Sequence, residues 1–156
     1  MKKNILLLVT GLALSITMHA QLALKPANGN PPQTSAETAG AKIVELVNAM
    51  RPASFTPAFK KDKPTFITAA AASNDAGTMA KYVSRLVGYI KPEKFRNGVS
   101  GETLTKNSAA VTTLAQAKVM LLNVESGLQP KAMNDIWQLQ RGQWINDLKP
   151  GIAVGK

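Results

Sequence analysis

Three ten-residue stretches constrain this chain more than anything else in it. "LVNAMRPASF" (46–55), "LVGYIKPEKF" (86–95) and "VESGLQPKAM" (124–133) align without a gap. Each carries a large apolar residue (Met50, Ile90, Leu128), a long polar one (Arg51, Lys91, Gln129), then a proline (Pro52, Pro92, Pro130). Three positions beyond each proline stands another large apolar residue, Phe55, Phe95 or Met133. Proline disfavours helical geometry in the residue before it, so a helix running into each stretch must stop there. The offsets are 40 and 38 residues, and recurrence at that period points to stacked helical units.

The segments before each proline support this. Ala36, Ala39, Ile43, Leu46, Val47 and Met50 follow one another at steps of three and four, as do Met79, Val83, Leu86, Val87 and Ile90. A third stripe runs from about Ser108 through Val111, Leu114, Ala117, Leu121 and Val124. These are amphipathic helices. The first opens at "TSAE", where Thr34 and Glu37 have capping-box spacing, and the second near "SND" (73–75). The helices are expected to end at Arg51 and Lys91, and the third at Gly127, with Leu128 as the apolar residue trailing a glycine cap.

Units one and three agree further. At an offset of 78, Phe59 falls on Trp137, Lys63 on Arg141, Phe66 on Trp144 and Ile67 on Ile145. The middle unit loses this register after Phe95: "RNGVSGETLTKN" offers only Val99 in the equivalent place and reads as a loop. The expected fold is all-α, a compact bundle of three helix–proline corner–helix units. Each proline would occupy the first turn of a second helix, where its missing N–H costs nothing. In unit three that helix runs from Pro130 to about Leu148, with Met133, Ile136, Trp137, Gln140, Trp144 and Leu148 on one stripe. In unit one, Pro57 and Pro64 should break it. The period lies near that of armadillo and HEAT repeats, but their signature residues are absent and three units are few for a solenoid.

Seven residues is about two helical turns, so Trp137 and Trp144 share a stripe. Their counterparts Phe59 and Phe66 mark that stripe as a core seam rather than an exposed platform for sugar or lipid. Arg51 and Lys91 suit helix C-termini, where a cation meets the free carbonyls. The competing reading is a row of cations shown to an anionic partner, and Gln129 in the third corner argues against a strict need for charge.

Residues 1–20 have the layout of a secretory signal: Lys2 and Lys3, an apolar run from Ile5 to Ile16, and a small residue at Ala20. The run is too short to span a membrane. Residues 21–34, rich in Pro, Asn and Gly, form a flexible lead; 35–150 form the helical repeat domain and 151–156 a tail. The expected product is exported, periplasmic or secreted, with no transmembrane segment. The only histidine, His19, leaves with the signal, and the chain has no cysteine. That removes Ser-His-Asp and Cys-His catalysis, thiolate zinc sites and histidine-ligated haem. No catalytic, cofactor-binding or metal-ligating residue is expected. Nine acids remain, none spaced three or four from another, so no pair shares a helical face. An enzyme working with carboxylates or lysine alone is the alternative. Ser73 and Ser84 carry no mark of a serine–lysine pair.

Without Lys2 and Lys3, seventeen cations stand against the nine acids, a net +8. Most of it lies in two stretches: Arg51, Lys60, Lys61 and Lys63 against Asp62, and Lys81, Arg85, Lys91, Lys94 and Arg96 against Glu93. Lys60, Lys61, Lys63, Arg85, Lys91, Lys94 and Arg96 are thus the candidate contacts for an anionic lipid, glycan or protein, by an attraction that fades with salt. Nucleic acid fits an exported chain poorly, and no aromatic-interleaved motif is present. The bland reading is a solvated surface that keeps the protein soluble. A partner covering a groove between units is a further possibility.

Overall fold

The computed structural model describes residues 35–149. The expected signal peptide, flexible lead, Thr34 cap and C-terminal tail lie outside the described residues. Among those described, six α-helices form: α1 Ser35–Ala49, α2 Pro57–Ala71, α3 Ala76–Tyr89, α4 Gly101–Thr105, α5 Leu114–Gly127 and α6 Trp137–Leu148. The fold is all-α, as expected. None of these helices is long and apolar enough to cross a membrane.

The aligned stripes of α1, α3 and α5 build the core in layers. Ala39, Met79 and Ala117 are wholly buried, as are the next two triplets, Ile43, Val83 and Leu121, then Leu46, Leu86 and Val124. Equivalent positions of the three units are thus buried alike.

The corners differ from expectation in a way that explains this likeness. Each proline starts a single 3-10 turn, Pro52–Ser54, Pro92–Lys94 or Pro130–Ala132, and not a second α-helix. Arg51, Lys91 and Gln129 before the turn are extended, and so are Phe55, Phe95 and Met133 after it. The helices therefore stop at Ala49, Tyr89 and Gly127, before the polar residues. The extended residues pair across units: Phe55 with Ile90, Phe95 with Leu128, and Met133 with Met50. The last pair returns from unit three to unit one and closes a ring.

Six backbone bonds repeat around that ring. The N–H groups of Arg51, Lys91 and Gln129 donate to the carbonyls of Ala132, Ser54 and Lys94 at 2.9, 3.0 and 2.9 Å. Those of Thr56, Arg96 and Asn134 donate to Tyr89, Gly127 and Ala49 at 2.8 Å each. A helix ends with unpaired carbonyls, and here the last residues of α1, α3 and α5 have their carbonyls taken by the neighbouring corner. Extended geometry wins at the corners because it turns these N–H groups outward to the next unit.

Other expectations are corrected. Pro64 does not break α2, which runs from Pro57 to Ala71. The lost bond costs about 3 kcal/mol in a helix interior, but Phe59 and Phe66, both buried, hold the helix on either side of it. Helix α6 begins at Trp137, not Pro130: Met133 belongs to the ring, Asn134 Oδ1 accepts the N–H of Trp137, and Ile136 and Gln140 are exposed. Helix α5 begins at Leu114, after a 3-10 turn at Ser108–Ala110, with Thr113 and Gln116 as its capping box. Gly127 makes no left-handed cap: it is the last helical residue, and among the described glycines only Gly98 has a positive φ. The stretch read as a loop contains α4, capped by Ser100.

Candidate functional site

The two tryptophans are buried, with ring centroids 5.4 Å apart in an edge-to-face arrangement. Their counterparts Phe59 and Phe66 do the same at 5.6 Å. Both pairs are seams. Neither tryptophan N–H is left unpaired: Trp144 Nε1 donates to the Lys42 carbonyl, and Trp137 Nε1 to Glu125 Oε1, both at 3.1 Å. Glu125 is buried and also accepts from Arg141 Nε and Nη2 at 2.6 and 3.0 Å. Arg141 thus serves the seam through a carboxylate, and its already high pKa is raised by that hydrogen bond.

The candidate cations divide into two groups. Arg51 Nε donates to Met133 O, Lys91 Nζ to Ala53 O and Arg96 Nε to Leu128 O. These bonds tie one corner to the next, so Arg51 and Lys91 do not cap their own helices, as the sequence suggested. Gln129 Nε2 does equivalent work on Phe95 O at 2.6 Å. Donor capacity, rather than charge, is what the corner needs. Lys94 stands beside them on the same ring.

The second group lies on the flank of α2 and α3. Tyr89 donates its hydroxyl hydrogen to Asp62 Oδ2 at 2.8 Å, and Arg85 Nη2 reaches the same hydroxyl at 3.5 Å. The Arg85 guanidinium also lies 5.5 Å from the centre of the Tyr82 ring. This chain joins Asp62 of α2, whose neighbours in sequence are Lys60, Lys61 and Lys63, to Arg85 of α3, whose neighbour one turn earlier is Lys81. None of these five cations forms an ion pair with another described residue.

One cluster was missed. The Lys42 side chain is 8% exposed, and its Nζ lies 2.8 Å from Glu45 Oε2 and 2.8 Å from Asp147 Oδ2. It lines a cleft of about 520 Å³ with both carboxylates, Gln143 and the tryptophans. Burial opposes the charge of Lys42, but the hydrogen bonds it donates to Asp147 and Glu45 outweigh it and raise the pKa. The Lys42 bond, followed by one from Gln143, lowers that of Asp147. Only the i, i+3 relation of Lys42 to Glu45 was visible in sequence, because Asp147 is 105 residues away.

Two carboxylates do meet in a cleft, therefore, as an acid–base enzyme requires. Yet such catalysis needs two groups with pKa values driven apart, one of them raised. Here a charged lysine lies between the carboxylates and holds Asp147 ionised. Lys118 differs: it is buried without a hydrogen-bonding partner among the described residues, and burial lowers its pKa. It lines neither this cleft nor the groove beside α4.

The depressed pKa of Asp147 means that its stabilising pair is present above the ordinary carboxylate range and is lost as pH falls through the folded value. Asp147→Asn should abolish that component, about 0.5–1 kcal/mol for a part-exposed pair. Urea midpoints measured from pH 7 to pH 2 should fall less steeply below about pH 4 in the variant.

No family model, curated protein or solved structure matches this chain.

Proposed function

We propose that this chain is an exported, non-catalytic helical binding module of the bacterial cell envelope. It meets an anionic component, lipid headgroup or acidic glycan, through the flank of α2 and α3. The observation that supports this reading is the Asp62–Tyr89–Arg85 chain, which ties the lysine-bearing turn of α2 to the arginine of α3. The corner cations are a weaker choice. Three long helices end at the ring, and Arg51, Lys91 and Arg96 are engaged there with carbonyls, where positive charge offsets the negative helix ends.

The purified chain should sediment with vesicles containing an anionic phospholipid, or be retained on acidic polysaccharide beads, at about 0.05 M salt, and should be released at about 0.5 M as the charges are screened. Lys60→Glu, Lys61→Glu and Lys63→Glu together should abolish capture, with the circular dichroism spectrum unchanged. Capture by neither probe, or capture indifferent to salt, would overturn the proposal.

A catalytic reading has one geometric argument in its favour, the carboxylates flanking Lys42 in a cleft. It has a chemical one against it, since that lysine is held protonated and cannot act as nucleophile or base.

A further inference from the structure

The three-unit repeat, closed into a ring by its corners, says what each seam should contain. Between α2 and α3, Phe59 lies 4.9 Å from the Tyr89 ring and Phe66 5.7 Å from Tyr82, centre to centre. Between α6 and α1, Trp137 and Trp144 stand in the corresponding places, with Ala49 and Lys42 at the positions of Tyr89 and Tyr82. In the third seam, between α4 and α5, the equivalents of Tyr89 and Tyr82 are Gly127 and Met120. The first ring is replaced by Val99, packed so closely that its Cγ1 lies 3.0 Å from where a Cβ on Gly127 would be. The second falls by count on Lys106, which is exposed. This seam has no ring at all.

A groove of about 860 Å³ opens there, its apolar wall formed by Val99, Leu104, Val111, Val119 and Met120, with Gly127 at its floor. That volume lies within the range of small-molecule sites, about 300–1,000 Å³. No Asp, Glu, Lys or Arg lines it, in a chain of net charge +10. A charged ligand would lose its hydration with nothing to replace it. The amides of Asn107 and Asn123 are on the lining, and neither side chain bonds another described residue.

We infer that this groove binds an uncharged small molecule with an aromatic or fused-ring body. The ring system takes the place that a phenylalanine or tryptophan pair fills in the sibling seams. Its polar substituents meet Asn107 and Asn123. The site is separate from the basic flank and does not depend on it.

The test uses N-phenyl-1-naphthylamine, a neutral two-ring probe that brightens on leaving water, added to the full chain. Saturable binding at one probe per chain is expected. In protein labelled at its methionine methyls, Met120 should shift while Met79, in the core layer, should not. Val119→Glu puts a charge into the wall at a part-exposed position and should weaken binding about tenfold, or 1.4 kcal/mol, with the melting temperature retained. Val99→Phe restores a ring and should weaken binding as well. Absence of saturable binding, shifts spread over all methionines, or equal affinity in Val119→Glu would overturn the assignment. A probe that a tryptophan-bearing peptide displaces while small neutral aromatics do not would overturn it in favour of a protein partner.

Discussion

Trp144→Ala should cost about 3–5 kcal/mol of folding stability, the range for removing a fully buried large aromatic. The ring is 2% exposed and packs edge-on to Trp137. Its indole N–H donates to the carbonyl of Lys42 on α1, across 102 residues of sequence. Helix α6 is the last described helix, and this contact is one of the places where it returns to the first. The alanine variant therefore opens a cavity, takes from the Lys42 carbonyl the bond it accepts besides its helical one, and loosens the Asp147 pair one turn further on. Trp144→Phe separates these effects. It keeps most of the ring volume and should lose about 1–2 kcal/mol through the hydrogen bond and the smaller ring. Chemical unfolding followed by circular dichroism measures both. A loss below about 1 kcal/mol in the alanine variant would mean that the ring is not a core residue.

The seam that Trp144 occupies was legible in the sequence because it rests on spacing and side-chain type. Phe59 and Phe66 repeat the tryptophan pair at an offset of 78, and a repeated bulky pair is costly to leave in water. The apolar stripes of α1, α3 and α5 were legible for the same reason. What closes the units into a ring was not. The six repeating bonds run between backbone N–H and C=O groups, which every residue but proline supplies, so side-chain identity carries no trace of them. Pro64 misled because propensity is local, whereas the burial of Phe59 and Phe66 is not.

The candidate site divides along the same line. The basic stretches were visible, but the sequence could not distinguish cations engaged on carbonyls, such as Arg96, from those without an ion-pair partner among the described residues, such as Lys60. The Lys42 cluster was hidden because a lysine beside a stripe reads as solvent-facing, and its second carboxylate lies at the far end of the chain. The empty third seam was half visible. The loss of register after Phe95 signalled a missing ring pair, but not that a groove would be left beside α4 and α5.

Gly40→Ala should reverse the usual helix rule. In an exposed helix interior the change gains about 1 kcal/mol, and Gly142 is such a site, with no atom within 4 Å of an added Cβ. At Gly40 the new carbon would lie 2.5 Å from the carbonyl oxygen of Ala70, 2.8 Å from that of Ala71 and 3.0 Å from that of Ser73. All three are backbone atoms at the end of α2, where the Ser73 hydroxyl also donates to Ala70 O at 2.7 Å. None can rotate away, so the end of α2 must lift from α1. Overpacking of this kind costs about 1–3 kcal/mol, which exceeds the propensity gain. The equivalents of Gly40 are Ala80 and Lys118, so the requirement for glycine is not part of the repeat. It comes from the unbroken length of α2, whose last turn lies against α1. Melting temperatures should therefore move in opposite directions, down for Gly40→Ala and up for Gly142→Ala, by about 4 °C per kcal/mol in a domain of this size. A Gly40→Ala chain that melts at or above the parent temperature would place α2 away from α1 and contradict the packing of unit one.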